Sequence, residues 1–331
     1  MCFSKKEMNL YRTISDTLDI FVHHIAKESA QIPQIGLMNG KMGIAILLYQ
    51  YGRYRNSSEI FDYADRLIDL VFQEIESGIE NSFDKGLYGI IWGLCYLIKQ
   101  GFVQVDEDVF DQVVTTVLCK ESLYIFNGLD VELGKGLCLC NRFITDKYLK
   151  NNKWYQQIEK LICRFHDILI LKYTTYILPV FPCKILIRFF YVCQKILEHG
   201  LFQSEINLLY EELPEIVRVS FKEEKALSEK YILASILDKI PMFDGCAYFN
   251  GPPCIKTLKD ITNIYLTQLI LGEEISVPKM NVKVLSNILK HQMVKKLLNQ
   301  LNPDNIGLQS NLGGLTWTLL QRCKEQVDIC C

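Results

Sequence analysis

Cys246 and Cys254 bracket the stretch DGCAYFNGPPCIK, and His291 follows in NILKHQMVKKLL. Two thiolates and an imidazole could hold a zinc ion with its fourth position open, and a metal held that way lowers the pKa of a thiol or water bound to it. The two cysteines stand eight residues apart, wider than the compact pairs typical of zinc sites, so the three would form a site only if the fold brought them together. The competing reading is that these thiols are loop or core residues. Thirteen cysteines is an odd number in a long chain, and MCFSKKEMNLYRTISD lacks the basic, apolar, small-residue order of a secretory signal. Reduced thiols and a cytoplasmic location are therefore expected. Cysteines inside apolar runs, as in LYGIIWGLCYLIKQG and RFFYVCQKIL, read as small buried hydrophobes, while the adjacent Cys330 and Cys331 are expected to be exposed.

Other reactive types are more scattered. His23 and His24 are neighbours on a helical stretch and so point in different directions. His199 precedes Gly200 in KILEHGLFQSE, which reads as a helix end with glycine just beyond the cap. Asp244 beside Gly245 suits a turn. The sequence shows no nucleotide-binding glycine loop, no Ser-His-Asp signal and no basic-aromatic patch. A net charge of -2 from 36 basic and 38 acidic side chains, spread without blocks, points to no nucleic-acid partner. No apolar run reaches the roughly 18 uninterrupted residues of a membrane span, so no membrane partner is expected.

The elements that must position these residues repeat along the chain. IGLMNGKMGIAILLYQYGR places Gly40 and Gly43 at the start of an apolar helix, although glycine costs a helix about 1 kcal/mol relative to alanine. FDKGLYGIIWGLCYL repeats the spacing with Gly86 and Gly89, 46 residues on. DVELGKGLCLCNRF puts Gly136 in the second glycine position and Leu133 in the first, and GLQSNLGGLTWTLLQ supplies Asn311 and Gly314. NGPPCIKTL keeps Gly251 but has Cys254 in the second position, and FPCKILIRFFYVC has lost both, Cys183 falling 47 residues after Gly136. Between the copies run helical patterns such as SEIFDYADRLIDLVFQEIES, without strand alternation. The unit reads as loop, helix, linker, helix, with glycine permitting positive φ or close backbone approach where loops crowd together. The predicted fold is all-α, an α/α toroid of about six helical hairpins, with residues 1–34 as a lead-in helix and 35–331 as the ring. Aromatic residues cluster near the glycine positions, and Tyr88, Trp92, Tyr248, Phe249 and Trp317 could line a central cavity or pack between helices.

A toroid whose helices begin with GxxG and an apolar run resembles the lanthionine synthetase C-like cyclases, over residues 35 to 320. The resemblance implies a zinc ion, bound by two cysteines and a histidine, that activates a substrate thiol for addition to a dehydrated serine or threonine. Laying the family's ligand motif (tryptophan, cysteine, tyrosine, glycine, any residue, proline, glycine) over YFNGPPC aligns Gly251 and Pro253 and puts Phe249 at the ligand cysteine. The family's adjacent Cys-His ligand pair is absent from the chain. The resemblance therefore implies a diverged member without the zinc site and without a cofactor, binding a precursor peptide or a peptide-modifying enzyme. Two enzymatic alternatives are a zinc site rebuilt from Cys246, Cys254 and His291, and a carbohydrate-directed toroid reaction using acids that the sequence does not single out. A further alternative is an interaction scaffold with nothing in its centre.

Overall fold

In KMGIAILLYQYGRYR every residue from Lys41 to Gly52 is buried, whereas in SEIFDYADRLIDLVFQE only Ile60, Ala64, Leu67, Ile68 and Val71 are. The first pattern belongs to a helix surrounded on all sides. The second, at spacings of four, seven and eight, belongs to one packed along a single stripe. This alternation of enclosed and one-sided helices organises the protein.

A computed structural model describes residues 5–75, 79–119, 129–144, 152–173, 180–243, 257–272, 294, 298, 306–309 and 311–330. Among them lie thirteen α-helices, one short 3-10 turn and no strand, so the described residues are all-helical, as expected. The helices are α1 (Lys5–Glu28), α2 (Lys41–Arg55), α3 (Ser58–Glu74), α4 (Leu87–Lys99), α5 (Glu107–Cys119), α6 (Leu129–Arg142) and α7 (Asn152–Tyr173). They continue with α8 (Cys183–Glu198), α9 (Gln203–Glu211), α10 (Pro214–Glu223), α11 (Leu227–Leu237), α12 (Leu258–Leu271) and α13 (Asn311–Cys330). No described helix is long and apolar enough to cross a membrane.

The chain divides into two compact units, one of Met1–Glu80, Asp84–Gly86 and Cys254–Cys331, the other of Asn81–Phe83 and Leu87–Pro253. In the first unit α2 and α3 form a tight hairpin, joined by Asn56 in the left-handed conformation that asparagine tolerates at a helix end. α13 packs against α1, α12 and α2. The buried stripe of α1 includes Ile14, Leu18, Phe21, Val22 and Ile25, which fall at the spacing of the buried residues of α3, with Thr17 and Ala26 beside them. The lead-in helix thus covers α13 as α3 covers α2, and this hairpin is assembled from both ends of the sequence.

In the second unit α4 packs on α6, α6 on α8, and α8 on α11, with α7 laid against α6 and α10 against α8. α11 extends this series by a helix that the repeat did not reveal, because no glycine marks its start. Where the sequence reading put a loop before Gly136, the helix α6 already begins at Leu129, so Leu133 and Gly136 lie inside it. The end of α8 closes as a Schellman motif: Gly200 stands at φ +69°, its N–H donates to Leu197 O at 2.8 Å, and Leu201 N–H reaches back to Ile196 O at 3.4 Å. His199 occupies the cap position of that motif.

Candidate functional site

The repeated loops are the most elaborated feature of the first unit, and their backbones touch. Met38 N–H donates to Asp84 O at 2.8 Å, and Met38 O accepts from Gln309 N–H at 3.0 Å. Asp84, Met38 and Gln309 hold the same place in their respective copies, two residues before the first glycine position. Equivalent positions of the last, first and second copies are therefore linked in series. The steric contacts repeat as well. A Cβ on Gly36 would stand 2.3 Å from Lys85 O, and one on Gly307 would stand 2.4 Å from Asn39 Cα; again the two pairs are equivalent.

Gly36 and Gly307 were not singled out from the sequence, although both copies carry a glycine seven residues before the second motif position. Gly40 and Gly43 serve the turn itself. A Cβ on Gly40 would meet the Gly36 backbone at 2.4 Å, and one on Gly43 would meet Leu37 O at 1.9 Å. A Cβ on Gly314 would meet Thr262 Cγ2 at 2.7 Å and Leu308 O at 2.8 Å. None of these five glycines is among the positive-φ residues, which are Gly101, Gly200, Gly272, Asn56 and Phe202. Close approach, not unusual dihedrals, is what the loops require. Gly86 closes the turn before α4, Gly89 lies buried in its first turn, and Gly136 packs against Val192 and Leu161.

Tyr88, Trp92 and Trp317 are buried, the first two in the second unit and Trp317 in the first. Tyr88 lies against Gly134, where a Cβ would meet its ring at 3.1 Å, and Trp92 is held between Phe83 and Tyr96, centroids 6.0 and 5.5 Å away. Burial, with Glu132 and Cys138 beside it, pushes the Tyr88 phenol up, so it stays protonated. Trp317 is 2% exposed and its Nε1–H finds no acceptor among the described residues. Gly251, Cys246, Tyr248, Phe249, Cys254 and His291 lie outside the described residues.

The buried thiols are poor nucleophiles. Burial pushes Cys95 up to about 12, and burial, with Cys95 and Cys140 nearby, raises Cys138 well above the ordinary thiol range. Cys138 instead donates its S–H to Tyr88 O at 3.0 Å, and Cys193 is also raised by burial. Cys163 is exposed. Iodoacetamide at pH 7.5 is expected to modify Cys163 readily and Cys95, Cys138 and Cys193 at least about a hundredfold more slowly, as read by peptide mass spectrometry. Rapid labelling of Cys95 in the folded chain would show that the α4–α6 packing is not as described.

Cys183 opens α8 where the repeat has lost its glycines, and a carboxylate does the joining there. Glu224 Oε2 accepts from Cys183 N–H at 3.2 Å, while Oε1 accepts from Lys225 and Ala226 N–H at 2.8 and 2.9 Å. Burial opposes its charge, but these amides prevail and hold the carboxyl below its usual range. Glu229, half-buried and beside Glu224, is shifted the other way. Burial, then the two carboxyls, push the Cys183 thiol up to about 12. With both Glu224 oxygens occupied by backbone amides, the group acts as a staple between the starts of α8 and α11.

A cleft of about 430 Å³ opens in the first unit between the end of α1 and α3, lined by Lys27, Tyr63, Arg66, Asp69 and Gln73 among others. Arg66 lies over the Tyr63 ring at 4.4 Å and its Nε–H donates to Asp62 O. Among the described residues no three His, Cys, Asp or Glu side chains are placed to share a metal ion. No protein-family model matches the chain, and no curated protein matches it.

Proposed function

We propose that this chain is a diverged toroid of the lanthionine synthetase C-like kind that binds a peptide, or an enzyme that modifies one, without cyclising it. The observation that carries the reading is the equivalence of the loop contacts: Gly36 against Lys85 is repeated by Gly307 against Asn39, and Gln309, Met38 and Asp84 are bonded in series. Such head-to-tail equivalence between the last and first copies is what a closed ring of hairpins requires. The pairing of α13 with α1, drawn from opposite ends of the chain, supports the same architecture. For the chemistry, the reading rests on Phe249 at the ligand-cysteine position of the resembling motif and on the absence of an adjacent Cys-His pair. Phenylalanine offers zinc no donor atom.

The test uses the full chain and a synthetic peptide carrying one cysteine and one dehydroalanine. Binding is followed by fluorescence anisotropy, loss of the peptide's free thiol by alkylation and mass spectrometry, and metal by elemental analysis. Saturable binding with the thiol retained is the expected result. Thiol loss together with about one zinc per chain would replace this reading by the rebuilt zinc site, and no binding of the peptide would overturn it.

A further inference from the structure

Arg322, on α13, has a guanidinium edge without a hydrogen-bond partner among the described residues. Its Nη1 donates to Glu325 Oε2 at 2.9 Å, and Glu325 Oε1 accepts from the Tyr265 hydroxyl of α12 at 2.6 Å. The guanidinium lies 5.6 Å from the centre of the Tyr265 ring. Nε and Nη2, in contrast, are enclosed and have no hydrogen-bond partner among the described residues. Those two nitrogens share one edge of the planar group and direct two parallel N–H bonds at the spacing of two oxygens of one carboxylate or phosphate. Enclosed donors on a charged group are costly to leave unmade, more so than neutral ones. The Arg322 side chain as a whole is 20% exposed while Nε and Nη2 are enclosed, so an oxyanion reaches them only as the neighbouring side chains give way.

We propose that the Nε–Nη2 edge of Arg322 is a binding site for a small oxyanion, a carboxylate or a phosphate, held bidentately while Glu325 and Tyr265 fix the guanidinium from its other end. The site does not depend on the ring architecture or on peptide binding, since all three residues belong to α12 and α13 of the first unit. Glu325 and the incoming anion would share one cation, so their mutual repulsion limits the affinity. The design therefore predicts opposite effects from two substitutions. Arg322→Lys keeps the charge and loses the fork, and Glu325→Gln keeps the hydrogen-bonding shape and removes the repulsion.

The experiment titrates the full chain, labelled with ¹⁵N-arginine, with sodium acetate in one arm and sodium phosphate in the other, sodium chloride holding ionic strength constant. The Nε–H resonance lost in Arg322→Lys is expected to shift saturably in at least one arm, and the responding arm identifies the source of the oxyanion. Arg322→Lys should weaken the accompanying anion-dependent rise in melting temperature at least about tenfold in anion concentration. Glu325→Gln should strengthen it about fivefold. No saturable response in either arm would overturn the proposal, leaving internal water as the partner of these donors. An unchanged response in Arg322→Lys would overturn it too. Should that variant not fold, the Nε–H titration of the unaltered chain and of Glu325→Gln decides, and an equal or weaker response in Glu325→Gln counts against the site.

Discussion

Gly36→Ala is expected to lower the stability of the chain by about 3 kcal/mol, the upper range for forcing extra atoms into a packed interior. The nearest atoms to the new methyl would be O, C and Cα of Lys85, at 2.3, 2.4 and 2.5 Å, all backbone. A side chain can swing aside, whereas these atoms belong to a turn that Asp84 O already fastens to Met38 N–H. Relief would therefore have to separate the two loops and break that bond. Gly307→Ala, against the Asn39 backbone at 2.4 Å, should cost a similar amount, because its contact is the equivalent one. Gly52→Ala is the control. There the methyl would meet only the Phe61 ring, at 3.1 to 3.4 Å, and alanine favours the helix by roughly 1 kcal/mol, so a net change near zero is expected. Urea unfolding followed by circular dichroism compares the three, and a Gly36→Ala chain as stable as Gly52→Ala would show that the loops do not abut.

The second large effect concerns Lys41, whose side chain is 3% exposed in the first turn of α2. Its ammonium donates to Ile32 O at 2.5 Å and to Glu74 Oε2 at 2.7 Å, while the Glu74 side chain is 39% exposed. Glu74→Gln removes the carboxylate bonded to this enclosed cation and should destabilise the chain by about 3 kcal/mol, as for other buried charges left uncompensated. Lys41→Met removes the charge itself and leaves a half-exposed glutamate that water can solvate. Its cost should be about 1 kcal/mol, and adding Glu74→Gln to it should cost little more. The same unfolding measurement on the two single variants and the double variant completes the cycle. Equal losses for Glu74→Gln and Lys41→Met would mean that packing of the lysine stem, rather than burial of its charge, sets the energetics here.

Much of the helical content was legible before any coordinates. The spacing of Ile60, Ala64, Leu67, Ile68 and Val71 is visible in the sequence, as are the glycine pairs that open α2 and α4. Periodicity of this kind is local, and local order suffices to read it. It misled at Gly136, because α6 starts upstream of the expected loop, and it missed α11, which carries no glycine. The thiols in apolar runs were read correctly as core residues at Cys95 and Cys193, since burial follows from the apolar surroundings.

The sequence by itself determined that the chain is a succession of helices, where an apolar stripe such as that of α3 runs, and which apolar helices open on a repeated glycine pair. Only the tertiary structure decided what those features meet. That Gly36 faces Lys85, that Lys41 finds Glu74, that α1 covers α13, and that one enclosed edge of Arg322 is unpaired among the described residues are facts about residues far apart in the chain. A hydrophobic pattern states that a face will be buried without naming its partner, because apolar burial is non-directional. Partners are chosen by close packing and by the need to satisfy each enclosed charge and donor, and those demands are settled only when the distant segments come together.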